Sequence, residues 1–247
     1  MKKVIFLFLA LVVILAVGLV INYKYGHSNS NFAASPSPVL LSSPTPTPEQ
    51  STSSSLPSSY LISGFPFQTQ APLGNWDTLH EEACEEATLI LFKYWQTGAS
   101  LSAQTMENQI QAIVAWENAN GYPQDLTSAQ LVLVAKDYYQ INDLTVNYNV
   151  SIESIKREIA QNHPVIVPAA GQLLGNPYYT APGPVYHMLL IIGYNQNNFI
   201  VQDVGTKHGD HYQFNATILY NAIHDWAGRQ DNIDSGRKAM IISGRKT

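Results

Sequence analysis

Ala83-Cys84-Glu85-Glu86-Ala87-Thr88-Leu89-Ile90-Leu91-Phe92-Lys93-Tyr94 is the stretch on which the fold turns. Ala87, Ile90, Leu91 and Tyr94 recur at intervals of three and four residues, the period of an α-helix with one apolar stripe. The pattern predicts a helix over 83–94 with the chain's single cysteine near its start. More helices follow. Ser102 is positioned to cap a segment running to about Asn120. Thr127 to Tyr139 carries Leu131, Val134, Ala135 and Tyr138 at helical spacing, and Ser151 opens a segment with Ile152, Ile155 and Ile159 on one face.

Beyond these the period changes from 3.6 to 2. Pro164 to Pro168 is a short β-branched run, and Tyr186 to Tyr194 is strand-like. Phe199 to Asp203 follows after the polar turn Asn195-Gln196-Asn197-Asn198. The last two runs predict an antiparallel hairpin. Asn215 is placed to cap a final helix to about Trp226, and Lys238 to Ser243 reads as a closing strand. Helices first and sheet second predict an α+β domain over residues 60–247, with the N-terminal helical half packed on an antiparallel sheet.

The bulk numbers exclude several function classes. In 247 residues, 45% are hydrophobic and 11% aromatic, enough for a packed core. The net charge is −5, and the 13 Lys and Arg residues form no cluster to track a phosphate backbone, so no nucleic-acid partner is expected. The chain has no GxxxxGK[ST] phosphate loop, and no nucleotide partner is expected either.

The N-terminus stands apart. Lys2 and Lys3 precede an apolar run of 18 residues from Val4 to Ile21, near the minimum for a bilayer span. Residues 1–27 read as an uncleaved signal anchor, with a cleaved secretory signal as the alternative. The flanking charges put the rest of the chain outside the cytoplasm. Of the 32 residues from Ser28 to Ser59, 21 are Ser, Thr or Pro, so this stretch buries no core and reads as a tether or a glycosylated stalk. Extended, it would reach up to roughly 100 Å at about 3.1 Å per residue.

Cys84 has no second cysteine to pair with and is a buried core thiol, an intermolecular link or a reactive thiol. At a helix start, the dipole would lower its pKa and favour the thiolate, although Glu85 and Glu86 act in the opposite sense. A thiol nucleophile needs a base, and among seven histidines His187 stands on a strand that would hold its ring rigidly. Asp203, 16 residues on at the end of the next strand, would return alongside to orient that ring. An oxyanion donor would come from the loop ahead of the helix, where Gln70 is preferred over Gln68.

Taken in order, Gln, Cys on a helix, His on a strand and Asp at the next strand end resemble the papain-like cysteine peptidases. The likeness is closest to the bacterial bacteriocin-leader-processing (double-glycine) group. It spans Phe65 to about Asp225 and is carried by Phe67-Gln68-Thr69-Gln70-Ala71-Pro72, Ala83-Cys84-Glu85-Glu86-Ala87, Pro164-Val165-Ile166-Val167, Tyr186-His187-Met188-Leu189-Leu190-Ile191-Ile192-Gly193-Tyr194 and Gln202-Asp203-Val204-Gly205-Thr206. The resemblance implies Cys84 as nucleophile, His187 as base, Asp203 as its orienter and Gln70 as oxyanion donor, acting on a peptide or amide without a cofactor. Many relatives have Cys-Gly-Pro where this chain has Cys84-Glu85-Glu86. No transporter or nucleotide-binding segment accompanies the domain here, so a leader-peptide substrate does not carry over.

Two other readings compete. His80-Glu81-Glu82-Ala83-Cys84 and His208-Gly209-Asp210-His211 contain zinc-type ligands, yet no HExxH is present and no metal is expected. An inactive module on a stalk would instead use Trp76, Tyr178, Tyr179 and Trp226 to hold a peptide or glycan. Acyl transfer or cleavage of cell-wall peptide crosslinks would need only a different second nucleophile or substrate.

Overall fold

The structure, a computed structural model, describes residues 55–243. The expected membrane anchor over 1–27 and all but the end of the 28–59 tether lie outside the described residues. Among the described residues, no helix is long and apolar enough to cross a membrane. Contacts with the domain begin before Tyr60, since the Tyr194 hydroxyl donates to the Pro57 carbonyl at 3.0 Å.

Short strand β1 (Tyr60–Leu61) is followed by α1 (Thr78–Glu81), α2 (Cys84–Thr97), α3 (Ala103–Ala119) and α4 (Ser128–Tyr139). Then come β2 (Leu144–Asn147), α5 (Ile152–Ala160), β3 (Val165–Ala170), β4 (Tyr186–Tyr194), β5 (Asn198–Gln202), β6 (Tyr212–Asn215), α6 (Ala216–Ala222) and β7 (Met240–Ser243). The fold is α+β, with every strand pair antiparallel. The sheet order is β2-β7-β3-β4-β5-β6, with β1 added against β4.

Local chemistry sets the helix starts. Ser102 and Ser151 accept the amides of Thr105 and Ser154, and Thr127 forms a capping box with Gln130. Each satisfies an N–H that the first turn leaves without a partner. Helix α2 ends at Gly98, whose φ of 68° is the left-handed geometry glycine adopts without strain.

Every residue of β3 and β4 is buried, because the sheet is covered on both faces. One core joins Leu89, Ile90, Ile110 and Leu131 of the first helices to Met188, Leu190 and Ile192. The other joins Ile155, Ile159, Leu219 and Ala222 to Val165, Leu189 and Ile191. Alternate residues of β4 thus serve opposite cores, as the strand's two-residue period requires. The expected packing of one helical half on the sheet is corrected to this extent: α2, α3 and α4 cover one face, while α5 and α6 cover the other.

The final helix also ends earlier than its sequence pattern suggests. Ile223 leaves helical geometry to bridge Ala169, and the His224 amide donates to the Pro168 carbonyl at 3.2 Å. Pairing along β3 therefore overrides continuation to Trp226. Strands β2 and β6, each four residues long, complete the two ends of the main sheet.

Candidate active site

Cys84 is the first residue of α2, preceded by Ala83, which makes no side-chain cap. The foremost N–H groups of the helix therefore point forward without intrahelical acceptors. The thiol is 4% exposed and belongs to the first core. Its S–H donates to Glu85 Oε2 at 2.9 Å, and no hydrogen bond joins it to His187. Burial pushes the Cys84 thiol well up, and Glu85 and then Glu86 push it further. The Met188 amide draws it back in part. The lowering expected from the helix start is outweighed because the thiol is out of water and beside carboxyls.

His187 stands second in β4, opposite Ala169 of β3. Its Nε2 lies 2.8 Å from Asp203 Oδ1, which leaves Nδ1 as the second ring nitrogen. Tyr179 meets the ring edge-on at 5.5 Å between centroids. Gly205 closes against the imidazole: a Cβ there would stand 2.9 Å from Cε1 and 3.1 Å from Nε2.

Asp203 directly follows β5 and is fully buried. Four donors reach its carboxylate. Oδ1 accepts from His187 Nε2 and, at 3.0 Å, from the Gly205 amide. Oδ2 accepts from the Tyr179 hydroxyl at 2.7 Å and Asn176 Nδ2 at 2.9 Å. Burial and then Asp203 push the Tyr179 phenol far up, so it remains an O–H donor. The hairpin thus brings Asp203 beside His187, and a loop from the 170s supplies two partners: Asn176, which the sequence did not point to, and Tyr179, expected only as a ligand-holding aromatic.

Gln70 is buried, and its amide N–H is tied to the Val204 carbonyl at 2.9 Å, next to Asp203 in the chain. Its Nε2 donates to the carbonyls of His80 at 2.8 Å and Glu81 at 3.0 Å, and its Oε1 has no hydrogen-bond partner. Two carbonyls at the donor end fix which way this amide points. The side-chain donors of Gln70 are thus engaged by the end of α1, the segment that leads into α2. Gln68 Nε2 makes one longer bond, 3.3 Å to the Leu101 carbonyl.

A cleft of about 1170 Å³ opens over this region, walled by Gln68, Gln70, Trp76, Tyr178, Tyr179 and His187, while Cys84 lies outside its wall. Trp226, the remaining aromatic of the binding-module reading, packs on Tyr186 instead. Asp125 also faces the cleft, where burial and then Glu82 push its carboxyl up to about 6.

The zinc-type stretches are used differently. His80 is buried with Nδ1 2.7 Å from Asp77 Oδ1 and Nε2 2.9 Å from Glu107 Oε2, which pins α1 to α3. His208 stacks on Tyr178, and His211 pairs with neighbouring Asp210 at 2.6 Å. No cluster of metal-ligating side chains is found among the described residues.

Glu85 and Glu86 also depart from the ordinary role of acids in a first helical turn. Both face inward, 1% and 2% exposed. Glu85 Oε1 accepts the Leu126 amide at 2.9 Å. Burial and then Glu117 of α3 raise Glu86 well above the usual carboxyl range, and burial raises Glu117 itself to about 7. The helical pattern gives no sign of this for Glu85, which lies off the apolar stripe, while Glu86 stands at its edge, four residues before Ile90.

Among solved structures, one assigned as a C39-like peptidase from Bacillus anthracis is 16% identical, covering 76% of this chain and 99% of its own with a TM-score of 0.48. No curated protein matches the sequence. The profile of the Peptidase_C39-like family matches residues 62–234, the span that holds Gln70, Cys84, His187 and Asp203. The chain therefore belongs to the Peptidase_C39-like family of papain-like cysteine peptidases.

Proposed function

We propose that this protein is a thiol hydrolase that cleaves a peptide or amide bond with Cys84 as nucleophile, His187 as base and Asp203 as its orienter. The observation that carries this reading is the 2.8 Å contact of His187 Nε2 with Asp203 Oδ1. With Nε2 so engaged, Nδ1 is the nitrogen that takes the Cys84 proton as sulfur attacks the carbonyl carbon. The oxyanion is met by the Cys84 amide at the helix start and by Gln70 Nε2, which gives up its longer bond, to the Glu81 carbonyl. His187 then passes its proton to the departing amine, and a water hydrolyses the thioester.

The substrate is a peptide or peptide-like chain bound in the cleft. Residues 1–27 anchor the protein in the membrane, and the Ser/Thr/Pro-rich stretch holds the domain outside the cytoplasm. Lys2, Lys3 and the apolar run after them support this placement.

The test is turnover of a fluorogenic peptide library by the detergent-solubilised full chain, compared with Cys84→Ala and His187→Ala. Both variants lose activity if the reading holds, and turnover surviving in Cys84→Ala sinks it. One observation favours a second reading, an inactive peptide- or glycan-binding module: the thiol is 4% exposed and bonded to Glu85. That reading requires equal ligand binding by wild type and Cys84→Ala with no turnover by either.

A further inference from the structure

Glu85 occupies a position that helix stability does not explain. An acidic side chain in a first turn gains modestly from the dipole when it faces water. Burying an ionised carboxyl costs several times more unless specific partners compensate. Glu85 is 1% exposed, and both its oxygens have partners: Oε2 accepts the Cys84 S–H at 2.9 Å and Oε1 accepts the Leu126 amide at 2.9 Å. Those two bonds fix the carboxyl between the nucleophile and the chain leading into α4.

We propose that Glu85 is the positioning residue of the nucleophile, holding Cys84 as a neutral thiol turned away from His187 until substrate draws the S–H across. This rests on the reading of Cys84 and His187 given above. In the resting protein the S–H proton is directed at Glu85 Oε2. For reaction the S–H bond rotates to His187 Nδ1, the proton passes to that nitrogen, and the sulfur electron pair forms the bond to the carbonyl carbon. Glu85 neither gains nor loses a proton in this step and keeps its bond to Leu126.

The groups around Glu85 reinforce the hold. Glu86 lies on the same helix, Glu117 on α3 and Tyr186 on β4, and Asp125, just before α4, and Asp225, after α6, act on Tyr186 in turn. All are acidic or neutral, and none supplies a positive charge to favour a thiolate. Asp225 is itself bound by the Ser128 amide and hydroxyl.

The test is Glu85→Gln in the full chain. The amide oxygen keeps the Leu126 bond, while the amide N–H₂ now faces sulfur as a donor rather than an acceptor. The expected result is a fall in the pH midpoint of iodoacetamide alkylation of the sole cysteine, with the rate at pH 7 rising about tenfold, the equivalent of one pKa unit. An unchanged midpoint in a folded variant overturns the proposal and leaves Glu85 as a structural tie for Leu126 alone.

Should the variant fail to fold, the wild type decides. Its single thiol has one infrared S–H stretch, displaced to low frequency by the bond to Glu85, and a free-thiol frequency overturns the proposal. The two readings also fail separately. Loss of turnover in Cys84→Ala and His187→Ala, with no effect of Glu85→Gln on alkylation, removes only the role of Glu85. A shifted midpoint in Glu85→Gln with full turnover in His187→Ala removes only the base.

Discussion

Tyr179 donates its hydroxyl hydrogen to Asp203 Oδ2 at 2.7 Å, on the oxygen opposite the one that meets His187. The phenol thus acts on the imidazole through the carboxylate, and its ring also meets His187 edge-on. Tyr179→Phe keeps the ring and removes the hydrogen bond, an interaction with a charged group of about 1.5–3 kcal/mol. The expected outcome is a several-fold fall in kcat, a KM within about twofold of wild type and a small loss of Tm. An unchanged kcat would mean that the remaining donors suffice to hold Asp203.

Asp203→Ala removes the acceptor for four donors at once and takes this partner from the buried Asn176 amide and the half-buried Tyr179 hydroxyl. Each such group costs about 1–3 kcal/mol. His187→Ala removes the proton acceptor but strands fewer polar groups. Asp203→Ala should therefore lower Tm more than His187→Ala does, while His187→Ala loses more activity. Thermal melts and turnover on the same preparations check both halves, and a reversed order of activity loss would mean that Asp203 is not the orienter.

Gly205 offers a steric test of the same pair. Alanine there would place a Cβ 2.9 Å from His187 Cε1, closer than such contacts run, so the ring must shift. A displacement of this size costs on the order of 10²-fold when geometry is critical. Gly205→Ala should lose roughly tenfold to 100-fold in kcat/KM with the fold intact by circular dichroism. Wild-type turnover would show that the imidazole position is not limiting.

Glu117 gives a pH dependence whose sign follows from its shift. Burial raises it from an ordinary value of 4.5 to about 7 in the folded chain, so the native state binds this proton more tightly than the unfolded state does. The resulting stability is complete below about pH 4.5 and is lost as pH rises towards 7. Across that window Glu117→Gln should flatten the fall of Tm, removing a slope worth about 3 kcal/mol in total. Parallel Tm curves for the two proteins would show that Glu117 does not carry it.

Much of this fold is legible in the sequence wherever the interaction is local. Ser102, Ser151 and Asn215 cap helices as their side chains suggest, because a cap is made within three residues, and Thr127, expected to begin a helix, caps it instead. The 186–194 and 199–203 runs pair as an antiparallel hairpin because a short polar turn permits little else, and this delivers Asp203 to His187. Strands β2 and β6 were not legible. Four residues give too little alternation to read, and the partner of β2, strand β7, lies far off in the chain.

By itself the sequence determined the α+β class, the helix starts, the hairpin and the candidate set Gln70, Cys84, His187 and Asp203. All follow from short-range periodicity, capping and a resemblance carried by residues in order. Only the tertiary structure decided which way the remaining polar groups point. Glu85 and Glu86 face inward because α2 is enclosed between other helices and the sheet. Tyr179 and Asn176 reach Asp203 across 24 and 27 residues. The Gln70 amide is held by carbonyls of a helix ten residues on. Such contacts depend on the meeting of distant segments in a dry interior, where an unpaired polar group is costly, and local pattern does not encode that meeting.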